Sequence, residues 1–193
     1  SILTIQSERL REMKLLAIGA HPDDIEIFMY GFIASCKKMK DEIYLIVASD
    51  GGLGGDNKDN NLVKTRERET KLGLGLLGEP ILMGLPDGKL EEDITAQSKI
   101  TSQINKINPD LILTHAPEDY HPDHRALSKY VLNAANFNCP VLFSDTLMGV
   151  NFNPQIYVDI TQFFDDKLDA IKCHKSQNPE KFCNATKILN RYR

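Results

Sequence analysis

Four of the five histidines lie in two short polar clusters, residues 20–24 and 114–124. The first cluster reads Ala-His-Pro-Asp-Asp. The second begins with Thr114-His115 and ends with His121-Pro122-Asp123-His124. Imidazole and carboxylate groups bind divalent metals, and they also accept and donate protons. The two clusters therefore predict metal-assisted hydrolysis or acid–base chemistry.

Two histidines and one carboxylate with an open fourth position are the usual ligand set of a catalytic zinc ion. We predict that His21, Asp24 and His124 are these ligands. His21 and Asp24 have two residues between them, and a turn from a strand into a helix can aim both side chains at one point. The same donors also accept other divalent metals such as Fe²⁺, so zinc is the first candidate and not the only one.

The remaining polar residues of the two clusters predict the acid–base groups. Asp23 is the candidate general base that activates water at the metal. His121 and Asp123 form a second candidate unit, in which Asp123 fixes the tautomer of His121 and raises its basicity. A cationic His121 beside the metal would suit an oxyanion or a leaving amine.

Each motif also has an ordinary structural interpretation. Residues 21–24 are typical of a turn whose aspartate caps a helix, and residues 121–124 are typical of a helix that begins with proline. Both motifs follow predicted strands, and this shared location favours the metal site. His174 lies outside both motifs, and we expect a surface histidine near the end of a helix.

A third polar cluster, residues 49–56, contains a glycine-rich loop. It lacks the lysine ending of a P-loop and the glycine order of a dinucleotide site, so we interpret it as a flexible wall of the active site. Arg66 and Glu69 are spaced as a surface pair on a helix. If that helix borders the site, Arg66 binds substrate instead, and we expect Asp50 to do the same. Asp87 is expected to be a turn residue first.

The elements that position these clusters alternate along the chain. Predicted strands at residues 14–20, 43–49, 80–83, 110–115, 139–143 and 155–160 alternate with predicted helices at 24–39, 62–77, 94–107, 122–136 and 162–174. Nearly continuous apolar strands between helices indicate a parallel sheet that is covered on both faces. We therefore predict an α/β fold, a Rossmann-like three-layer sandwich with a mainly parallel sheet. Ligand sites of such folds lie beyond the carboxyl ends of the strands, where all three clusters fall.

Composition narrows the classes of protein. The chain has 193 residues and a net charge of −4, which fits one domain and excludes a broadly basic nucleic-acid-binding protein. No apolar run approaches the ~20 residues of a membrane span. The four cysteines form no disulfide framework, so we expect reduced thiols and a cytoplasmic location. We expect residues 1–12 to be an extension, and the sequence leaves a homo-oligomer open.

Taken together, the motifs resemble the PIG-L/LmbE family of zinc-dependent N-deacetylases. The shared features are AHPDD after the first strand, SDGG after the second, RxxE on the next helix and HPDH after a later strand. The resemblance extends from about Met13, through Asp159-Ile160-Thr161, to the sequence His174-Lys175-Ser176-Gln177. It therefore covers most of the chain.

This resemblance implies a single-domain Rossmann-like fold and removal of the acetyl group from an N-acetylglucosamine unit of a small molecule or glycoconjugate. It implies that His21, Asp24 and His124 bind zinc and that Asp23 is the base. His121 would be the acid or oxyanion stabiliser, with Asp123 orienting it. Members of the family usually continue past the Ser-Gln motif, so the resemblance also implies that a C-terminal segment is missing.

Three alternatives stay open on the sequence alone. A metal-dependent hydrolase of another amide or an ester would use the same residues, since substrate choice lies in loops. A catalytically inactive sugar-binding or regulatory domain would keep the fold without the reaction. A nucleotide-binding module is disfavoured because the phosphate-binding fingerprint is absent.

Overall fold

The computed structural model of the protein describes residues 12–55, 61–147 and 151–193. In this part of the chain, five parallel strands form one sheet in the order β3-β2-β1-β4-β5. The strands are β1 Lys14–Gly19, β2 Glu42–Ser49, β3 Ile81–Leu85, β4 Leu111–His115 and β5 Val141–Ser144. β1 lies at the centre, where it pairs with β2 on one side and with β4 on the other.

Helices cover both faces of this sheet. They are α1 Tyr30–Lys38, α2 Leu62–Leu74, α3 Ala96–Ile107, α4 Pro122–Ala135, α5 Phe164–Lys172 and α6 Pro179–Tyr192, and a π-helical turn, Ile25–Met29, leads directly into α1. Buried residues of α3 and α4 pack on one face, and those of α1, α2 and α5 pack on the other. The predicted three-layer α/β fold is confirmed.

The central strand shows why its sequence is apolar without interruption. Successive side chains of a strand point to opposite faces, and a sheet covered on both faces buries both sets. Leu16 and Ile18 join the core cluster under α3 and α4, whereas Leu15 and Ala17 join the cluster under α1 and α5. All four are 0% exposed. The strand is therefore a rigid platform for the polar residues that follow it.

The prediction of a strand at residues 155–160 is wrong, because this segment is irregular. Its end is held by side chains instead. A Cβ atom on Gly31 would lie 2.4 Å from Cγ2 of Ile160, so the isoleucine packs directly on the glycine backbone of α1. Asp159 Oδ1 accepts hydrogen bonds from the backbone N and the hydroxyl of Thr161 at 2.9 and 2.6 Å.

Helix α6 was not predicted, although Pro179 at its first position is a recognised signal for a helix start. The expected extension, apart from Glu12, lies outside the described residues, as does Asp56 of the glycine-rich cluster. None of the helices in the described part of the chain combines the length and the apolar character that a bilayer span requires.

Candidate active site

Three polar clusters meet at the carboxyl ends of neighbouring strands. His21 lies two residues after β1, Asp50 directly follows β2, and His115 is the last residue of β4. Because β1 lies between β2 and β4 in the sheet, the sequence-distant clusters face one another. The predicted site therefore forms at the predicted edge of the sheet.

Three candidate ligand atoms form a nearly equilateral triangle at this edge. His21 Nδ1 lies 3.2 Å from His124 Nε2 and 3.3 Å from Asp24 Oδ2, and the last two atoms are 3.2 Å apart. The three residues are all buried. A tetrahedral zinc ion with bonds of ~2.0–2.1 Å separates its ligand atoms by ~3.3–3.4 Å. We call these three residues the ligand triangle.

Carboxylates lie behind both imidazoles of the ligand triangle. His21 Nε2 lies 3.2 Å from Asp123 Oδ2 and 3.2 Å from Asp87 Oδ1. His124 Nδ1 lies 3.0 Å from Asp119 Oδ2. Histidines that bind metals usually give their second ring nitrogen to a carboxylate, which fixes the ring and raises its basicity. The donor set therefore fits a divalent ion such as zinc.

The electrostatics of the triangle follow from this crowding of opposite charges. Burial alone would lower the pKa of His21, but Asp123 and Asp24 outweigh it and raise this pKa well above its ordinary value. For His124, burial is outweighed by Asp24 and Asp119, and the pKa rises to about 9. Burial opposes the ionised form of Asp24, yet His124 and His115 hold its pKa well below the usual range.

His115 is a fourth histidine of the site, and sequence inspection assigned it no role. It is fully buried, its Nε2 lies 3.1 Å from Asp24 Oδ2, and its ring stacks on that of His124 with centroids 3.7 Å apart. Burial lowers its pKa, and the neighbouring His124 lowers it further. His115, the last residue of β4, therefore packs against His124 and contacts Asp24, two members of the ligand triangle.

Asp23 adopts a backbone conformation that an aspartate rarely takes, with φ 121°. Such strain costs about 1–3 kcal/mol and persists only where surrounding contacts impose it. Arg66 supplies those contacts. Its Nη2 donates to Pro22 O at 2.5 Å and lies 3.3 Å from Asp23 Oδ2, and its Nη1 donates to Gly51 O at 2.9 Å. Burial raises the pKa of Asp23 to about 6, although Arg66 opposes this effect.

The surface pair predicted for Arg66 and Glu69 is therefore wrong. Arg66 is 3% exposed, and its guanidinium holds the turn after β1. Glu69 is also buried, and its carboxylate accepts hydrogen bonds from the backbone N and the hydroxyl of Ser176 at 2.9 and 2.6 Å. Both side chains face inward because α2 borders the site.

The prediction of a surface position for His174 is also wrong. His174 is 1% exposed, and its Nε2 lies 2.7 Å from Oε1 of Glu26, which is 0% exposed. Burial opposes the charged ring, but Glu26 outweighs it and raises the pKa of His174. A Cβ atom on Gly73 would lie 2.7 Å from Glu26 Oε1, so a glycine makes room for this pair. We call Arg66, Glu26, His174, Glu69 and Ser176 the brace.

His121 and Asp123 do not form the predicted unit. The Asp123 carboxylate accepts hydrogen bonds from the backbone N of Gly88 at 2.7 Å and of Leu90 at 3.1 Å, and these contacts turn it towards His21. His121 caps α4, and its Nδ1 accepts a hydrogen bond from the backbone N of Asp123 at 3.2 Å. The neutral ring therefore carries its proton on Nε2. Partial burial, together with His21 and His124, lowers the pKa of His121 and favours this neutral form over the predicted cation.

Comparison with known proteins agrees with this geometry. The family described as PIG-L: GlcNAc-PI de-N-acetylase matches residues 16–135, which is more than half of the chain. The chain belongs to the PIG-L family. The matched range contains the ligand triangle and Asp23, Arg66 and His121.

Proteins that are similar to this chain in sequence or in fold carry different activities. The diacetylchitobiose deacetylase of Thermococcus kodakarensis is 29% identical over 189 residues, which cover 86% of this chain and 71% of that protein. The N,N'-diacetylchitobiose deacetylase structure from Pyrococcus horikoshii matches with a TM-score of 0.80 and 24% identity, over 93% of this chain and 76% of that one. The 4-carboxy-2-hydroxymuconate hydratase of Pseudomonas putida matches with a TM-score of 0.80 and 18% identity, over 92% and 84%. Because a deacetylase and a hydratase share this fold, the reaction must be argued from the site.

Two aspartates, Asp87 and Asp50, lie at the candidate active site on the side of β2. Asp87, predicted mainly as a turn residue, reaches His21 and accepts a hydrogen bond from the backbone N of Leu53 at 2.9 Å. Asp50 Oδ1 accepts hydrogen bonds from the backbone N of Gly52 at 2.9 Å and of Asp87 at 3.3 Å. Asp50 thus shapes the loop that presents Asp87, and its predicted contact with substrate stays a prediction.

Proposed function

We propose that the protein is a metal-dependent N-deacetylase that hydrolyses the acetamide of an N-acetylglucosamine-containing small molecule or glycoconjugate. The observation that carries this proposal is the ligand triangle beside the buried carboxylate of Asp23. The family description and the deacetylase from Thermococcus kodakarensis support the substrate class. In the reaction, one water is consumed, the amide C–N bond breaks, and acetate and a free amine form.

His21, Asp24 and His124 would hold the metal, with zinc as the first candidate and Fe²⁺ as the alternative. Both histidines have a carboxylate behind the ring nitrogen that faces away from the triangle, as metal-binding histidines usually do. A divalent ion bound there supplies Lewis acidity, which polarises the acetamide carbonyl and acidifies water.

Asp23 is the proposed general base, which accepts the proton of the attacking water. It adjoins the ligand Asp24 in sequence, and Arg66 fixes the direction of its carboxylate. The carboxylate of Asp23 is therefore held in one orientation on the turn that also carries Asp24. Proton transfer by a positioned side chain typically contributes 10²–10⁴-fold to the rate.

His121 is the proposed hydrogen-bond donor to the carbonyl oxygen of the acetamide. Its Nδ1 is occupied by the backbone N of Asp123, so Nε2 is the nitrogen that carries a proton. An N–H at this position stabilises the carbonyl oxygen as negative charge develops on it. The proton that Asp23 has accepted then passes to the departing amine, which completes the reaction.

The test is acetate release by the purified, zinc-loaded protein. N,N'-diacetylchitobiose, N-acetylglucosamine and phenyl N-acetylglucosaminide are incubated with it, and acetate and free amine are quantified together. We expect equal amounts of both products from at least one sugar, and loss of turnover after chelation of the metal. Cleavage of acetyl esters but of no acetamide would instead favour the ester hydrolase. Binding of the sugars without any turnover would favour a sugar-binding domain.

We also propose a cytoplasmic location. The four cysteines, Cys36, Cys139, Cys173 and Cys183, are too few and too scattered for a disulfide framework, and this pattern is usual in reducing compartments.

A further inference from the structure

A cavity of about 710 Å³ lies beside the candidate active site, at the β5 edge of the sheet. Strand β5, residues 151–158 and helix α5 contribute to its walls. This volume is within the roughly 300–1,000 Å³ that is usual for small-molecule pockets. None of the residues to which we assign a role in deacetylation lines it.

The walls of the cavity combine apolar and polar residues, and five of the apolar side chains are aromatic. These five are Phe28, Phe32, Phe143, Phe152 and Tyr157. The ring of Phe28 also lies edge-on to those of His115 and His124, with centroids 5.7 and 5.9 Å apart. The cavity therefore adjoins the ligand triangle, and a single phenyl ring contacts both.

One wall of this cavity carries a buried cation. Lys167 on α5 is 3% exposed, and its Nζ donates to Asn190 Oδ1 at 2.9 Å. An ammonium group has three donors, and this contact uses one of them. Within the described ranges, no carboxylate oxygen lies within 4.0 Å of Nζ.

The acidic side chains of the same wall do not neutralise Lys167. Asp145 is engaged by Arg193, whose Nε lies 2.6 Å from Asp145 Oδ2. Glu118 is exposed to solvent. A buried charge normally has a charged or strongly hydrogen-bonding partner, since its transfer from water is costly. Lys167 therefore presents two N–H donors that no carboxylate of this wall neutralises.

We propose that this cavity binds an amphipathic anion, whose aromatic or aliphatic body packs on the phenylalanines and whose carboxylate or sulfonate pairs with Lys167. The aromatic walls match the body of such a ligand, and the ammonium matches its charge. Asn190 holds Nζ in place and has an amide group of its own to offer to the anion. None of the proposed metal ligands lines the cavity, so its charged group and its walls are distinct from those of the ligand triangle.

Two dyes with the same ring system provide the direct test. Anilinonaphthalene sulfonate carries an anion, and phenylnaphthylamine does not. Titration of each into the native protein is followed by fluorescence, which the protein without tryptophan disturbs little. We expect a saturable site that binds the anionic dye at least about tenfold tighter than the neutral dye, the scale of a charge-assisted hydrogen bond.

Lys167→Met removes the charge at similar length, and Lys172→Met is the matched control. Lys172 lies on the same helix, pairs with Asp169 and is exposed. We expect Lys167→Met to abolish the preference for the anionic dye and to leave the affinity for the neutral dye within about twofold, because its apolar contacts are unchanged. Lys172→Met should bind both dyes as the unmodified protein does. An unchanged preference in Lys167→Met would overturn the proposal.

A competition experiment on the unmodified protein does not depend on any variant. Octanoate should displace the anionic dye, and octanol at the same concentration should not. Equal displacement by both, or absence of a saturable site, would also overturn the proposal. The source of the anion is then tested by comparing para-carboxyphenyl with phenyl N-acetylglucosaminide as substrates. A preference for the carboxylated sugar that Lys167→Met removes identifies the anion as part of a substrate, whereas dye binding without such a preference identifies a separate ligand.

Discussion

The ligand triangle and the brace are both built from buried charged side chains, but the chain assembles them differently. The donors of the triangle come from two short motifs, residues 21–24 just after β1 and residues 121–124 at the start of α4, so local sequence places them. The brace joins the π-helical turn, α2 and the segment after α5, and its Glu26–His174 pair spans 148 positions. The triangle thus concentrates candidate metal ligands, whereas the brace joins distant elements, and its Arg66 holds the turn that carries Asp23.

This difference separates two kinds of defect. Loss of a group at the triangle should remove the metal, because its donors are few and converge on one point. Loss of a group in the brace should leave those donors in place but release the strained turn at Asp23. Metal content, stability and turnover measured on the same variants therefore distinguish the two regions.

Asp23→Asn has the largest expected effect. It changes a residue that Arg66 of the brace holds and that adjoins Asp24 of the ligand triangle. We expect kcat to fall by about 10³-fold, since the amide cannot act as a general base. Metal content should stay unchanged, because Asp23 is not a corner of the triangle. Asp93→Asn, at a partly exposed aspartate before α3 and away from the ligand triangle, is the control and should keep full turnover. Near-normal turnover in Asp23→Asn would contradict its assignment.

His174→Asn breaks the brace at its most buried pair. Removal of one partner leaves the charge of Glu26 without compensation, which typically costs about 3–5 kcal/mol. We expect a loss of about 3 kcal/mol in the free energy of unfolding, measured by urea denaturation, with metal content retained. A loss of bound metal at unchanged stability would show that the two regions are not separate.

The same variant has a pH dependence of known sign. Glu26 outweighs burial and raises the pKa of His174 in the folded protein. The stability that the pair contributes is therefore fully present below the ordinary pKa of histidine and is lost as the pH rises through the folded-state pKa. The difference in unfolding free energy between the unmodified protein and His174→Asn should be larger at about pH 6 than at about pH 9. A difference that grows with pH would contradict a charged His174.

Asp119→Asn tests a residue that contacts a member of the ligand triangle without belonging to the triangle. Asp119 lies behind His124, and loss of such a carboxylate usually lowers metal affinity about 10–100-fold. Glu118→Gln is the matched control, because Glu118 is the preceding residue and is exposed. Zinc affinity measured by competition with a chelator should fall in the first variant only. Equal affinities would remove Asp119 from the metal site.

Sequence predicted those parts of the site that local chemistry encodes. Strands β1 and β4 are mainly apolar, and the motifs that follow them combine imidazole with carboxylate, so both the fold and the members of the triangle were accessible. Asp119 and Asp87 were visible as polar residues near the motifs. Whether their carboxylates lie close to a histidine ring nitrogen depends on the order of the strands in the sheet. The periodicity of apolar residues along the sequence does not determine that order.

The orientation of the remaining groups depends on contacts between distant elements. Asp123 was expected to serve His121, but two backbone N–H groups after β3 turn its carboxylate to His21. Arg66 was expected either in a surface pair with Glu69, from their spacing, or in contact with substrate, and His174 was expected at the surface because it lies near the end of a helix. Their burial follows from the packing of α2 and α5 against the π-helical turn, for which the sequence has no local signal.

The most direct test of the central claim is the metal content per chain after equilibration with zinc and dialysis. Elemental analysis is made on the unmodified protein and on His124→Ala in parallel. We expect about one zinc ion per chain in the first and much less in the second, since three protein ligands are the norm for a catalytic zinc site. Equal zinc contents, or no zinc in either protein, would contradict a metal centre at the ligand triangle.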